Sequence, residues 1–306
     1  MKHPLSIALA FATALSATAH AADIDFYGKA NLSLEYVSEG DEDFTELNSN
    51  ASRVGFKGEE VISETLSAVY QLEYETQHDD ADTFGQRNIF LGLKGSFGSL
   101  LAGHFDTAFK ASQKSVDLFN DLPGDIKNVI VASELRKSNS VMYISPEFAS
   151  GIQLYADYIN SESEEIDPSL SLAATYTRGG LYLALAADMD MFTSSNELYD
   201  AVRFVTQYSM DRFQFGLLVE EFSPEVGDSE TGYMGSVQYA LNDKVALKGQ
   251  AGVSDIKTEG GKTFSLGADY KLSKTAKTFA FYTNNSADDD TVFDDSYLGV
   301  GLEVKF

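Results

Sequence analysis

The chain has 306 residues, with 47 acidic against 22 basic side chains, a formal charge of −25, and neither cysteine nor tryptophan. A surface that acidic repels nucleic acid and anionic headgroups unless divalent cations intervene, and without cysteine neither disulfides nor thiolate metal ligands are open to it. Length excludes nothing, since it suits a soluble core and a membrane structure equally.

Met1, Lys2 and His3 precede an apolar run from Leu5 to Ala19, and Ala19-His20-Ala21 supplies the small residues a signal peptidase needs. Residues 1–21 therefore read as a secretory signal peptide, with the exported domain over 22–306. Beyond the signal no apolar run nears the ~18 residues of a transmembrane helix. What recurs is alternation, in segments close to the ~9–11 residues that a tilted membrane strand needs. They are Ile24 to Val37, Ala51 to Glu60, Thr65 to Glu75, Gln86 to Lys94, Ser99 to Asp106, Asn139 to Ser145, Ile152 to Asn160 and Ser169 to Thr177. The series continues with Leu181 to Asp190, Leu198 to Ser209, Arg212 to Phe222, Thr231 to Leu241, Val245 to Val253, Thr263 to Leu272, Thr278 to Thr283 and Ser296 to Phe306, sixteen in all.

The last segment shows the logic. Leu298, Val300, Leu302, Val304 and Phe306 share one parity, while Gly299, Gly301, Glu303 and Lys305 share the other. A strand alternates sides at every residue, so one face is apolar and the other small or charged. Lipid offers no hydrogen bonds, so β-structure crosses it only as a closed barrel. The connections support this by alternating in kind. Short turns fall at Ser145-Pro146-Glu147-Phe148, Arg178-Gly179-Gly180, Met210-Asp211 and Asn242-Asp243; long acidic connections fall at Glu39 to Glu46, His78 to Asp82, Glu162 to Asp167, Glu220 to Glu230 and Asp288 to Asp295. One rim of turns and one of polar loops is the outer-membrane layout, which a soluble sandwich has no reason to imitate. The expected fold is all-β: a transmembrane antiparallel barrel of sixteen strands. Tyr36, Tyr74, Tyr158, Phe222, Tyr239, Tyr270 and Phe306 lie near strand ends, where interfacial aromatics belong.

One connection, residues 107–137, is too long and too apolar to be a plain surface loop. It carries Phe109, Val116, Leu118, Phe119, Leu122, Ile126, Val129, Ile130 and Val131. Loops of this length are usually functional, and a barrel mouth offers its apolar content one protected surface, the inside of the wall; packing on itself or on a partner is the alternative.

The chain resembles the trimeric, sixteen-stranded general diffusion porins of Gram-negative bacteria, in the branch typified by neisserial and β-proteobacterial members. The likeness covers essentially the whole exported chain. It is carried by Ser52-Arg53-Val54-Gly55-Phe56-Lys57-Gly58-Glu59, by Arg87-Asn88-Ile89-Phe90-Leu91-Gly92-Leu93-Lys94-Gly95 with Phe97-Gly98, by Arg136-Lys137-Ser138-Asn139-Ser140 followed by Tyr143 and Ser145-Pro146-Glu147-Phe148, and by the terminal Phe306. The resemblance implies that 107–137 is an inward-folded third loop forming a constriction, with wall bases facing loop acids. Carried over, the wall residues are Arg53, Arg87, His104 and Arg136, and the loop acids Asp117 and Asp121. Parity independently turns Arg53 and Lys57 into the lumen, opposite Val54 and Phe56. Arg87 shares parity with Ile89, Leu91 and Leu93, so its lumenal position requires a bulge or a protein interface on that strand. Gly103-His104 stands where many relatives have Gly-Arg, which makes the cluster less basic and introduces a titration between about pH 5 and 8.

The implied function is passive diffusion of small hydrophilic solutes and ions through a water-filled outer-membrane channel, with cations preferred because acids line the mouth. The resemblance also implies a homotrimer; small residues on the outward faces of the first strands, Gly28, Ala30 and Gly92, fit close packing there. Outer-membrane lipid and lipopolysaccharide are the remaining partners, with Ca²⁺ or Mg²⁺ bridging acidic loops and phosphates. No cofactor, no dedicated metal site and no catalytic residue is expected. His78, beside Asp79 and Asp80, and His104, near Asp106, are the only imidazoles after the signal, and neither sits in a nucleophile or zinc motif. The competing readings are a substrate-selective porin, for which Tyr27 and Tyr155 are available lumenal aromatics, an adhesin or receptor, and a barrel hydrolase.

Overall fold

A computed structural model describes residues 23–77, 84–162, 167–193, 196–289 and 294–306. Residues 1–21, expected as a signal peptide, and with them His78 to Asp82, most of Glu162 to Asp167 and the tip of Asp288 to Asp295, lie outside the described residues. The strands are β1 (Asp23–Glu39), β2 (Glu42–Ser49), β3 (Arg53–Ser63), β4 (Leu66–Thr76), β5 (Phe84–Gly95), β6 (Gly98–Asp106), β7 (Arg136–Ile144), β8 (Ile152–Ile159) and β9 (Ser169–Arg178). They continue as β10 (Leu181–Phe192), β11 (Leu198–Met210), β12 (Phe213–Pro224), β13 (Glu230–Ala240), β14 (Val245–Ser254), β15 (Gly261–Lys271), β16 (Ala276–Ser286) and β17 (Asp294–Lys305). From β3 onward each pairs antiparallel with its sequence neighbour, β1 pairs with both β2 and β3, and β17 pairs back onto β1, closing the sheet.

β2 and β3 both pair with β1, over Leu32–Glu39 and Asp23–Lys29 respectively, so together they form one wall strand interrupted at residues 50–52. Seventeen ladder segments therefore make a sixteen-strand barrel. The acidic stretch Glu39 to Glu46, expected as a long loop, is instead a hairpin: cross-strand pairing from Leu32↔Ser49 to Glu39↔Glu42 carries the wall upward. Glu220 to Glu230 shortens likewise, because β12 runs on to Pro224.

Closure pairs the wall all the way round, the condition for β-structure in lipid. The terminal residue takes part, since Gly28 N donates to Phe306 O at 2.9 Å and Phe306 N to Gly28 O at 3.1 Å. Outward positions carry the apolar stripe: Leu32, Leu34 and Tyr36 on β1 stand opposite Leu302, Val300 and Leu298 on β17, all exposed. In water such a continuous belt would be an association surface; in a bilayer it is the side facing lipid. Tight turns close one rim. Gly179 and Gly180 join β9 to β10 with φ of 58° and 84°, the paired positive values a two-residue hairpin requires. The opposite rim carries the longer connections, including residues 107–135. Tyr36, Tyr74, Tyr158, Tyr270 and Phe306 lie exposed on the outward face as expected. Phe222 does not; it is buried inside, its ring tilted against that of Tyr199 with centroids 4.7 Å apart.

Candidate functional site

Residues 107–135 pack on the face of the sheet opposite the lipid stripe, and so lie within the barrel. Val116, Ile126, Val129, Ile130 and Val131 form one buried cluster with Tyr182, Ala184, Val205, Leu218 and Met234 of β10 to β13. Ala108 and Phe109 join a second with Met142, Ile159, Ala173 and Tyr199, while Phe119 and Leu122 meet Phe279 and Phe281 of β16. Each large side chain buried this way contributes about 1.5–3 kcal/mol, enough collectively to hold the segment against the wall.

The segment has little regular structure, so its peptide groups must find partners on that wall. Ser236 Oγ donates to Val116 O (2.6 Å), Lys248 Nζ to Leu118 O (3.1 Å), Ser254 Oγ to Ile130 O (2.8 Å) and Tyr182 OH to Ser112 O (2.7 Å). Leu118 N donates to Gln250 Oε1 at 2.8 Å. A Cβ at Gly232 would collide with the Ile130 carbonyl, so glycine there permits the close approach. Two short helices punctuate the path. Thr107 caps α1 (Ala108–Ala111) by accepting from Lys110 N, and Asp125 caps α2 (Ile126–Val129) by accepting from Lys127 N.

With its apolar side turned to β8–β16, the segment presents its polar side to β1–β7. Between them lies a space of about 330 Å³ whose charged lining is evenly divided: Arg53, Arg87, Arg136, Lys110 and Lys127 against Glu75, Asp106, Asp121, Asp125 and Glu134. Arg87 reaches it through a bulge. Leu72 pairs with Ile89 but Tyr74 pairs with Gln86, so Arg87 and Asn88 together stand opposite Glu73. The extra residue shifts the alternation. Arg87 Nε then lies 2.8 Å from Glu73 Oε1 and its Nη1 2.6 Å from Glu75 Oε2. Arg136 Nε sits 3.0 Å from Asp106 Oδ1, and Asn88 braces both. Arg53 is the least engaged, 3.6 Å from Glu73.

Asp121 does face the wall, but its partner is Lys29 of β1, 3.0 Å away. Burial works to raise the Asp121 carboxyl; Lys29, with Arg87 and Lys127 behind it, outweighs that and holds it below the usual carboxylate range. Asp117 corrects the sequence expectation. It turns away from the arginines and accepts from Phe119 N (3.0 Å), Ile126 N (3.1 Å) and Gln250 Nε2 (3.0 Å), bracing the loop internally. Burial, then the charge of Asp125, pushes its carboxyl upward.

His104 is also corrected. It pairs opposite Ile89, in step with Leu100 and Ala102, on the outward side, where its Nδ1 lies 2.8 Å from Ser138 Oγ. It does not line the space the arginines share. Gly92, expected on an outward packing face, pairs with Leu101 on the inner side. Glu73, Glu75 and Lys29 were missed, although alternation marks them: Glu73 and Glu75 flank outward Tyr74, and Lys29 shares parity with Asn31 and Ser33. His78, Asp79 and Asp80 lie outside the described residues, and among those described no three acidic or imidazole side chains converge as metal ligands.

Beyond the constriction, toward the rim of long connections, a wider space of about 510 Å³ is lined by Glu35, Glu46, Asp295, Tyr297 and Lys257 among others. A closed barrel with a lipid-facing exterior and a charged interior passage is an outer-membrane channel. The chain matches the family model described as Gram-negative porin over residues 7–290, and it belongs to that family. It is 28% identical over 309 residues to the major outer membrane protein P.IB of Neisseria sicca, covering 83% of this chain and 86% of that one. Among solved structures, an anion-selective porin from Comamonas acidovorans superposes with a TM-score of 0.81 at 18% identity, covering 93% of this chain and all of that one. OmpT of Vibrio cholerae, folded in vitro and described in a trimer form, gives 0.73 at 17% identity over 94% of this chain and all of that one. The protein is an outer-membrane porin for passive diffusion.

Proposed function

We propose that this porin passes small hydrophilic solutes and ions with a preference for cations, set in the vestibule rather than at the constriction. The carrying observation is the contrast between the two spaces. The constriction lining is balanced, and most of its charges are already paired. In the vestibule, Glu35, Glu46 and Asp295 make no ion pair with any described basic residue. Unpaired carboxylates concentrate cations at the mouth. Opposed charges across the constriction orient water and disfavour apolar solutes, while the aperture limits size.

Arg53, Arg87, Arg136 and Asp121 carry the constriction in this reading. A homotrimer is supported by the trimer form of the Vibrio cholerae structure, and export by the signal-like residues 1–21. Acidic outer connections supply oxygen ligands for divalent ions that bridge lipopolysaccharide.

The test is single-channel recording in planar bilayers under a KCl gradient, for wild type and Arg53→Ala. Openings in threes with a cation-selective reversal potential are expected. Removing one charge ~4 Å from a passing ion in water changes its energy by about 1 kcal/mol, favourably for a cation and unfavourably for an anion, so each shifts by up to about fivefold and the cation-to-anion permeability ratio should rise by up to about thirtyfold. A wild-type potential on the chloride side would overturn the preference.

A further inference from the structure

Strands β8, β9 and β10 set three polar residues side by side on the inner face beneath residues 107–135. Asp157 stands opposite Ser171, and Ser171 opposite Asp188. Neighbouring strands lie about 4.8 Å apart, so two carboxylates flank a serine that adds little bulk. Asp157 is 0% exposed and neither of its oxygens receives a hydrogen bond. The hydroxyl of Ser140 lies beside it, close enough to act on its carboxyl, but makes its geometric hydrogen bond to Lys137 O, at 3.2 Å. Asp188 is 1% exposed; its Oδ2 accepts from Ser133 Oγ at 2.5 Å, and its Oδ1 has no partner. Three buried carboxylate oxygens on the strands either side of Ser171 thus lack a hydrogen-bond partner, an arrangement costly unless a charge compensates it.

The surrounding bases do not compensate it. Arg203 is taken up by Glu220 and Glu134, at 2.5 and 2.7 Å. Lys137 acts on Asp188 only at longer range, its amine bound to Phe192 O at 2.7 Å. Asp157, Asp188, Glu134 and Glu220 face Arg203 and Lys137, and Lys110 beside Glu134 is itself paired with Asp106 at 3.2 Å, so negative charge is in excess.

We propose that Asp157 and Asp188 hold one divalent cation, Ca²⁺ or Mg²⁺, between the wall and the constriction segment. The available donors are carboxylate oxygens and the hydroxyls of Ser133, Ser140 and Ser171, an all-oxygen set that suits hard cations and disfavours zinc or copper. With two carboxylates rather than three, backbone carbonyl or water oxygens complete the shell. The position matters because both ends of the segment are tied there: Phe109 N donates to Ser171 Oγ at 2.9 Å, and Ser133, held 2.7 Å from Tyr199 OH, reaches Asp188. The ion fastens the constriction to the wall at both ends.

The test uses full-length protein refolded with Mn²⁺ as the anomalous probe, washed and crystallised, beside Asp157→Asn treated identically. One anomalous peak per protomer between Asp157 and Asp188, lost in the variant, is expected. The thermal midpoint of wild type, and not of the variant, should rise with Ca²⁺ or Mg²⁺ and fall with EDTA. Wild-type crystals without that peak, a variant that retains it, or midpoints indifferent to metal in both proteins would overturn the proposal and leave the pair sharing protons. Should Asp157→Asn fail to fold, the wild-type map decides alone.

Discussion

Arg203 is the side chain whose loss should loosen the constriction segment most. It is fully buried on β11, its Nε and Nη2 donate to Glu220 Oε2 at 2.9 and 2.5 Å, its Nη1 donates to Glu134 Oε1 at 2.7 Å, and it lies 4.3 Å from the Phe109 ring centroid. Glu134 and Phe109 belong to the segment, Glu220 to the wall, so one guanidinium joins the two. Arg203→Met preserves much of the volume but strands two buried carboxylates. Breaking a buried pair from one side costs about 3–5 kcal/mol, and the charge-assisted bonds, at about 1.5–3 kcal/mol each, agree in size. Urea unfolding of the detergent-solubilised barrel, followed by circular dichroism, should show that loss as a lower midpoint. Single channels should show more open-state noise. Combining Arg203→Met with Glu134→Gln and Glu220→Gln removes the stranded charges and should restore most of the stability, because a neutral set needs no compensation. A cost below about 1 kcal/mol for Arg203→Met, or a triple variant no better than the single one, would refute the assignment of Arg203 as the pin.

Arg87→Ala, which frees Glu73 and Glu75 together, should shift the KCl reversal potential toward cations further than Arg53→Ala does, since Arg53 is only loosely engaged. Asp121→Asn releases Lys29 into the passage and should move selectivity the other way, by up to about fivefold for each ion and so about thirtyfold in permeability ratio. His104→Gln should leave conductance between about pH 5 and 8 unchanged, as that imidazole lies outside the passage. Asp117 holds its proton to higher pH when folded than when unfolded, so the native state binds more protons and stability falls as pH rises above the ordinary carboxylate range. Thermal midpoints measured at about pH 5 and about pH 8 should therefore differ less in Asp117→Asn than in wild type.

Alternation made the wall legible because one medium is lipid everywhere along the outer face, so Arg53 could be placed in the lumen from Val54 and Phe56 alone. The same rule fails wherever the ladder slips. Arg87 sits beside the shift between Leu72 and Tyr74, and nothing in Arg87-Asn88-Ile89 announces that an extra residue is accommodated there. His104 was placed by likeness to a basic position in relatives, whereas its parity with Leu100 already pointed outward. Within the constriction segment there is no period to read: Asp117 and Asp121 are four residues apart, yet one is folded into backbone amides and the other meets Lys29.

The docking of that segment did leave a trace, on the wall rather than in the loop. A lumenal row should be polar, yet Val205, Leu218 and Met234 interrupt it on three successive strands, and Tyr199 and Phe222 do so nearer the rim. Leu217-Leu218-Val219 accordingly loses its alternation. An apolar patch facing water-filled space is unfavourable unless something covers it, and the apolar chain nearest at hand is 107–135. The defects in β11 to β13 and the apolar content of the loop therefore mark the same contact, one from each side. The polar face left over meets β1–β7, and this asymmetry, rather than any single motif, sets where the passage narrows.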